Sequence, residues 1–252
     1  MPSLARADLE ALLRTRKLDR TLTSAYPVSV PSEADEFVVA ATGHAPFDAR
    51  LGGGFPRGQI SELVGPFSSG RTSVLLQALA AATDRGELVA LIDALDMLDV
   101  ASASAAGIDL ERLLWIRGHV VINPGMCRDT NQRALEQTLK ALSLVLQSGA
   151  FGVVVFDVAE APAMAMRRVP FTTWLRLQRM VEGSQTACVL MGAEPMARSA
   201  AGLTVKLQKA QGVRFGSRLF EGIDIECRVV RARARTGLDD QPVALAVSAV
   251  HA

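Results

Sequence analysis

Two hydrophobic rhythms alternate along the middle of this chain. Short, nearly continuous apolar runs cover Gln59 to Val64, Glu87 to Asp93, Gly152 to Asp157 and Ala187 to Met191, and each reads as a strand. Between them lie longer segments with apolar residues three and four apart. Ser73 to Arg85 is rich in alanine and leucine, Asp129 to Gln147 carries Leu135, Leu139, Leu142 and Leu146 on one face with Gly149 beyond its end, and Phe171 to Glu182 follows the same period. Val100 to Ala106 and Asp109 to Leu114 predict short helical pieces before Trp115-Ile116. Strands separated by helices predict an α/β domain with a mainly parallel sheet and helices on both of its faces.

The last third changes rhythm. Val205 to Lys209, Ile223 to Arg235 and Val243 to Val250 alternate between turn-rich stretches, which predicts antiparallel strands finishing the sheet. Asp224, Glu226 and Arg228 share one parity while Arg231, Arg233 and Arg235 fall on the other after Val229-Val230, so a bulge or change of face is expected there. The three arginines suit a solvated face, with nucleic acid or an acidic partner as the sharper alternative. At the opposite end, Ser3 to Ser24 holds Leu4, Leu9, Leu12, Leu13 and Leu18 among charges and predicts an amphipathic helix, and the proline-containing stretch Tyr26 to Glu36 reads as a linker. The expected division is therefore residues 1–36, helix and linker, and 37–252, one core domain.

Composition narrows the functional classes. With 49% hydrophobic and 21% charged residues, the chain can bury a sizeable core, and a net charge of +1 argues against a chain-wide electrostatic grip on nucleic acid. Cys127, Cys188 and Cys227 are scattered and lack a C-x-x-C pair, which points to reduced thiols in a cytoplasmic protein and to no zinc site; His44, His119 and His251 form no ligand cluster. No apolar run approaches the ~18 residues that span a bilayer.

The most specific chemistry lies at Gly65-Pro66-Phe67-Ser68-Ser69-Gly70-Arg71-Thr72, which has the spacing of a phosphate-binding loop but carries arginine where lysine is usual. Two glycines let the backbone wrap a phosphate, successive N–H groups point inward, and the following helix aims its positive end at the anion. A strand before the loop and a helix from Ser73 after it supply the confirming context. Thr72 is positioned to ligate Mg²⁺. Arg71 keeps the charge of lysine but not its compact shape.

The stretch from Thr42-Gly43 through Asp48, Leu51-Gly52-Gly53-Gly54, Pro56, Gly58 and Glu62 to Gly65-Pro66 and Ser68-Ser69-Gly70 resembles the approach to the phosphate loop in RecA recombinases. Ile92-Asp93-Ala94, Leu98-Asp99 and Gly107-Ile108-Asp109-Leu110 continue the resemblance, which extends over most of residues 40–250, and Val153 to Asp157 looks like the Walker B strand. It implies a RecA-like core, with Gly65, Pro66, Ser68, Ser69, Gly70, Arg71, Thr72, Ser73 and Asp157 around a weakly held ATP, and Thr72 and Asp157 around its Mg²⁺.

Departures from the family pattern bear on activity. Leu95 stands where the resemblance places a glutamate base, and leucine cannot take a proton; the neighbouring Asp96 is one residue out of position. Met191-Gly192-Ala193-Glu194 replaces an asparagine-glutamine phosphate sensor. Phosphoryl transfer depends on positioning and charge stabilisation, so the joint change predicts loss of turnover with no catalytic residue retained. Two loops that grip single-stranded DNA in RecA correspond to Val158 to Pro170, with Arg167 and Arg168, and to Gly192 to Gly202, with Arg198; neither interleaves aromatics with cations, which predicts weak or indirect DNA binding.

Arg16 to Leu22, Val169 to Trp174 and Arg198 to Thr204 resemble the ImuA group of RecA-like proteins more than RecA itself. That resemblance implies an accessory role in SOS mutagenesis and translesion synthesis. It also implies as partners an inactive Y-family polymerase homologue of the ImuB kind, an error-prone replicative-type polymerase and, as a further candidate, RecA. The rival readings are a DNA-dependent ATPase of the recombinase type and a cell-division inhibitor resembling SulA.

Overall fold

In a computed structural model, residues 38–119, 128–208, 212–216, 219–232 and 243–248 are described. They belong to one compact unit spanning Val38–Ala252. The expected helix at Ser3 to Ser24 and its linker, Arg233, Arg235 and Cys127 lie outside them.

The described elements run β1 (Val39–Ala40), α1 (Ala45–Leu51), β2 (Phe55–Pro56), β3 (Gln59–Val64), α2 (Arg71–Asp84), β4 (Val89–Asp93), α3 (Val100–Ala105), β5 (Leu113–Arg117), α4 (Arg128–Ser148) and β6 (Val153–Asp157). They continue with α5 (Ala163–Arg167), α6 (Phe171–Val181), β7 (Ala187–Gly192), β8 (Leu203–Leu207), β9 (Gly212–Gly216), β10 (Leu219–Ala232) and β11 (Val243–Ser248). The main sheet has the order β11-β10-β8-β3-β7-β6-β4-β5, with β9 also paired to β10. β3 lies between β7 and β8 and is parallel to both; the parallel set continues through β6 and β4 to β5.

Period-two packing explains why the strands have almost no polar positions. Val89 and Leu91 of β4, Val153 and Val155 of β6, and Val189 and Met191 of β7 face one core together with Leu75 and Leu79 of α2. Their neighbours Ala90, Ile92, Val154, Phe156, Cys188 and Leu190 face the other, under α4 and α6. A strand covered on both sides gains from apolar residues at every position. All four leucines expected on one face of α4 are buried, and α6 buries Trp174, Leu177 and Val181 at helical spacing. Cutting one of these, such as Leu142, to alanine would cost about 2–5 kcal/mol.

Two expectations need correction. Asp109 to Leu114 is not helical throughout: a single turn at Leu110–Arg112 gives way to β5, whose Leu113 and Trp115 pack against the first core. The strand expected at Val205 to Lys209 starts earlier, at Leu203, and is parallel to β3 rather than antiparallel to its neighbours on both sides. The parallel-to-antiparallel switch comes one strand later, between β8 and β10. Alternation alone carries no strand direction, and Leu203-Thr204-Val205 is as buried as the other central strands. The expected break in parity does occur: the β10–β8 register slips between Val229 and Arg231.

Candidate functional site

Four parallel strands deliver the site residues to one edge of the sheet. In open α/β sheets the carboxyl ends of strands, where order reverses, are where ligands bind. β3 ends at Val64 and leads into the loop, β4 ends at Asp93, β6 at Asp157 and β7 at Gly192.

The loop has the backbone that phosphate binding requires. A Cβ on Gly65 would lie 2.6 Å from the Leu207 carbonyl oxygen, so only glycine fits beside β8. Gly70 is left-handed (φ 80°) at the N-cap of α2 and supplies no side-chain cap, which leaves the first N–H groups of that helix open to an anion. Ser69 is buried and its hydroxyl has no protein partner. Pro66, Ser68 and Thr72 are exposed, and Ser73 is half-buried. By shape, this is a competent cradle.

Charge alters that picture. The Arg71 side chain is 6% exposed, and its guanidinium donates 2.7 Å to the Gly192 carbonyl and 2.8 Å to Glu160 Oε1. The cation of the loop is therefore paired within the protein. Glu160, three residues beyond the Walker B-like strand, belongs to no motif, and its pairing with an arginine 89 residues away leaves no local signal in the sequence. An ammonium could not make the same planar fork.

Asp93 and Asp157 are direct partners in adjacent parallel strands. Asp93 is 1% exposed; its Oδ2 accepts from the Leu98 amide at 2.8 Å and Trp115 Nε1 at 3.2 Å, and its Oδ1 has no partner. Asp157 accepts only the Ala159 amide, at 2.9 Å. Burial, reinforced by the negative charge of Asp93, pushes the Asp157 carboxyl up to about 7 against the pull of that amide and of Arg71. A divalent cation here would displace the proton, and Thr72 with Asp157 would hold it.

The position read as the missing base is apolar: Leu95 is half-buried, packed against the second core while lining the cavity that holds the two acids. Asp96 is no substitute. It has φ 60°, and both its oxygens are taken by Arg117, at 2.6 and 2.7 Å, which holds its carboxyl below the usual range. A cavity of about 210 Å³ opens between Phe67, Thr72, Leu95, Met97 and the two aspartates. Phe67, at the tip of the loop, is 75% exposed.

On the other side of Gly192 the two expected loops form the walls of a second cavity, about 220 Å³, with Arg167 and Arg198 among its lining residues. The first loop carries the unexpected short helix α5. The second is anchored by Glu62, fully buried in β3, whose Oε1 accepts the Met196 and Ala197 amides at 2.6 and 2.7 Å and whose Oε2 accepts the Thr204 hydroxyl at 2.7 Å. Arg168 is exposed, as are Arg167 and Arg198.

Comparison with known proteins agrees with this architecture. The RecA N-terminal domain family matches residues 28–166, more than half of the sequence. Protein RecA of Symbiobacterium thermophilum is 35% identical over 182 residues, covering 71% of this chain and 48% of that protein. Protein RecA of Saccharopolyspora erythraea is 36% identical over 182 residues with the same coverage, and that of Desulforapulum autotrophicum is 38% identical over 124 residues, 49% of this chain and 32% of that one. The chain belongs to the RecA family. Its match spans about half the length of the first two of these relatives.

No helix among the described residues is long and apolar enough to cross a membrane.

Proposed function

We infer that this RecA-family chain has exchanged nucleotide turnover for protein docking and serves as an accessory subunit of SOS-linked translesion synthesis, of the ImuA kind. The observation that carries the reading is the pairing of Arg71 with Glu160 and the Gly192 carbonyl, beside a leucine where a base would be needed. ATP enters weakly, its phosphates on the Gly65 to Thr72 backbone and its Mg²⁺ on Thr72 and Asp157. The group would supply a charge-dependent brace for the loop; position 95 itself carries no carboxylate, and the adjacent Asp96 is tied to Arg117. Partners on this reading are an inactive Y-family polymerase homologue, an error-prone replicative-type polymerase and RecA, with single-stranded DNA contacted weakly or through them.

A DNA-dependent ATPase of the recombinase type is the second reading, favoured by the name of the relatives and by the intact backbone of the loop. Phosphate release by the full chain, with and without single-stranded DNA, separates the two. The accessory reading expects none above background, together with co-purification of the polymerase homologue. DNA-stimulated turnover abolished by Arg71→Ala would replace it with the recombinase reading.

A further inference from the structure

The cavity between the two former DNA loops has an apolar floor and a cationic rim. Val158, Val169, Trp174, Met166 and Met196 line it, with Arg167 and Arg198 at the edge and Glu194 the one acid in the lining. It is held in shape by the protein itself. Glu62 fixes the Met196 and Ala197 amides, and the guanidinium of Arg231 in β10 donates to the carbonyl of Arg198, a residue at φ 51°. Met164 of α5, outside the lining, is 62% exposed.

We propose that this pocket is a peptide-docking site that takes an apolar anchor side chain from an acidic segment of a partner protein, the anchor on the methionine and valine floor and the flanking carboxylates on Arg167, Arg168 and Arg198. At about 220 Å³, it is smaller than the ~300–1,000 Å³ of pockets that enclose whole small molecules, and suits a single aromatic or branched side chain. Methionine surfaces repack around varied anchors. The cations present bidentate donors to carboxylates at the edge, where they select charge and speed encounter.

Single-stranded nucleic acid fits less well. Stacking platforms need accessible ring faces in succession; Trp174 is 2% exposed within the core, which leaves the half-buried Phe171 as the one other ring in the lining.

The inference rests on the docking reading above but can fail without it. The test uses the full chain labelled with ¹³C at methionine methyls and titrated with a synthetic peptide carrying one phenylalanine and one leucine among aspartates. A version with lysines in place of aspartates and an oligothymidylate serve as comparisons. The expected result is perturbation of the Met166 and Met196 signals by the acidic peptide only, with affinity reduced about tenfold in each of Arg167→Glu and Arg198→Glu and an unchanged thermal melt. Equal response to the lysine peptide, or none to either, overturns the proposal. Stronger perturbation of the same methyls by oligothymidylate assigns the pocket to nucleic acid instead. If a polymerase partner still co-purifies with both arginine variants, the pocket is not its docking site, and the accessory reading stands on another surface.

Discussion

Glu62 and Asp157 are carboxylates on the same sheet, the first buried in β3 and the second half-buried at the end of β6, and their surroundings differ in kind. Glu62 accepts two amides from the loop after β7 and the Thr204 hydroxyl of β8. Asp157 accepts one, and its neighbour across the strand pair is another aspartate, Asp93, which keeps an oxygen unpartnered. The first group is saturated and works as a bolt. The second lacks the positive charge that would justify burying it, because Arg71, the nearest cation in the loop, is shared with Glu160 and Gly192. The contrast teaches that a carboxylate satisfied within the fold can fix a loop against the sheet, whereas one left with few donors is the place where a bound cation would change the charge balance.

The sharpest way to test the bolt is Glu62→Ala. Three donors would be orphaned in the core at once, and a loss of about 3–5 kcal/mol is expected in urea unfolding, since each buried group left unsatisfied costs about 1–3 kcal/mol and the costs do not add fully. A cost below about 1 kcal/mol would mean that the loop holds its shape without Glu62.

Asp157 should behave in the opposite sense. Its folded value of about 7 lies above the ordinary carboxylate value of about 4, so the folded state holds a proton that the unfolded state has released throughout that window. Stability contributed by the protonated form is complete below about pH 4 and is lost as pH rises through 7, by about 4 kcal/mol at most at 1.36 kcal/mol per unit. Asp157→Asn is expected to flatten that decline and to be more stable than the parent above pH 7. Unfolding midpoints measured across the window check this, and Mg²⁺ added at the alkaline end should recover part of the loss in the parent but not in the variant. A parent whose stability climbs steadily through the window would show that Asp157 is ionised in the folded protein.

The ion pair at the loop can be loosened without touching the loop. Glu160→Gln removes the charge that competes for Arg71 and is expected to tighten ATP by about tenfold, or ~1.4 kcal/mol, with no gain in phosphate release, because Leu95 remains. Isothermal titration reads the first part and a phosphate assay the second. An unchanged affinity would mean that Glu160 does not restrain the guanidinium.

Much of this is legible in the sequence. The strands β3, β4, β6 and β7 were readable because burial on both faces leaves uninterrupted apolar runs, and the bulge in β10 because a parity change in charged residues has few other causes. The loop followed from glycine spacing. What could not be read depends on partners distant in sequence. Leu203–Leu207 pairs with β3 across more than a hundred residues, so nothing local reveals its direction. Arg71 reads as a ligand for phosphate until Glu160 and the Gly192 carbonyl are seen beside it, and Glu62 reads as one more family match until its three donors are located.

The smallest effect is expected at Asp96, and it tests whether the missing base has merely moved one residue along. Asp96 faces Arg117 through two short hydrogen bonds at an exposed site, and Arg117 also lies over the Trp115 ring, 4.8 Å from its centre. Exposed pairs of this kind contribute little, because solvent and salt screen them and two side chains must be ordered to form them. Asp96→Ala should therefore leave the unfolding midpoint unchanged within error, the arginine keeping its contact with tryptophan, and should leave any residual phosphate release unaltered. The informative comparison is with Leu95→Glu, which places a carboxylate at the position that faces the cavity with Asp93 and Asp157. If Asp96→Ala lowers a measurable turnover while Leu95→Glu does nothing, the base has moved and the loop is still an enzyme's; if neither variant changes the background, the acid at position 96 holds only the arginine of β5.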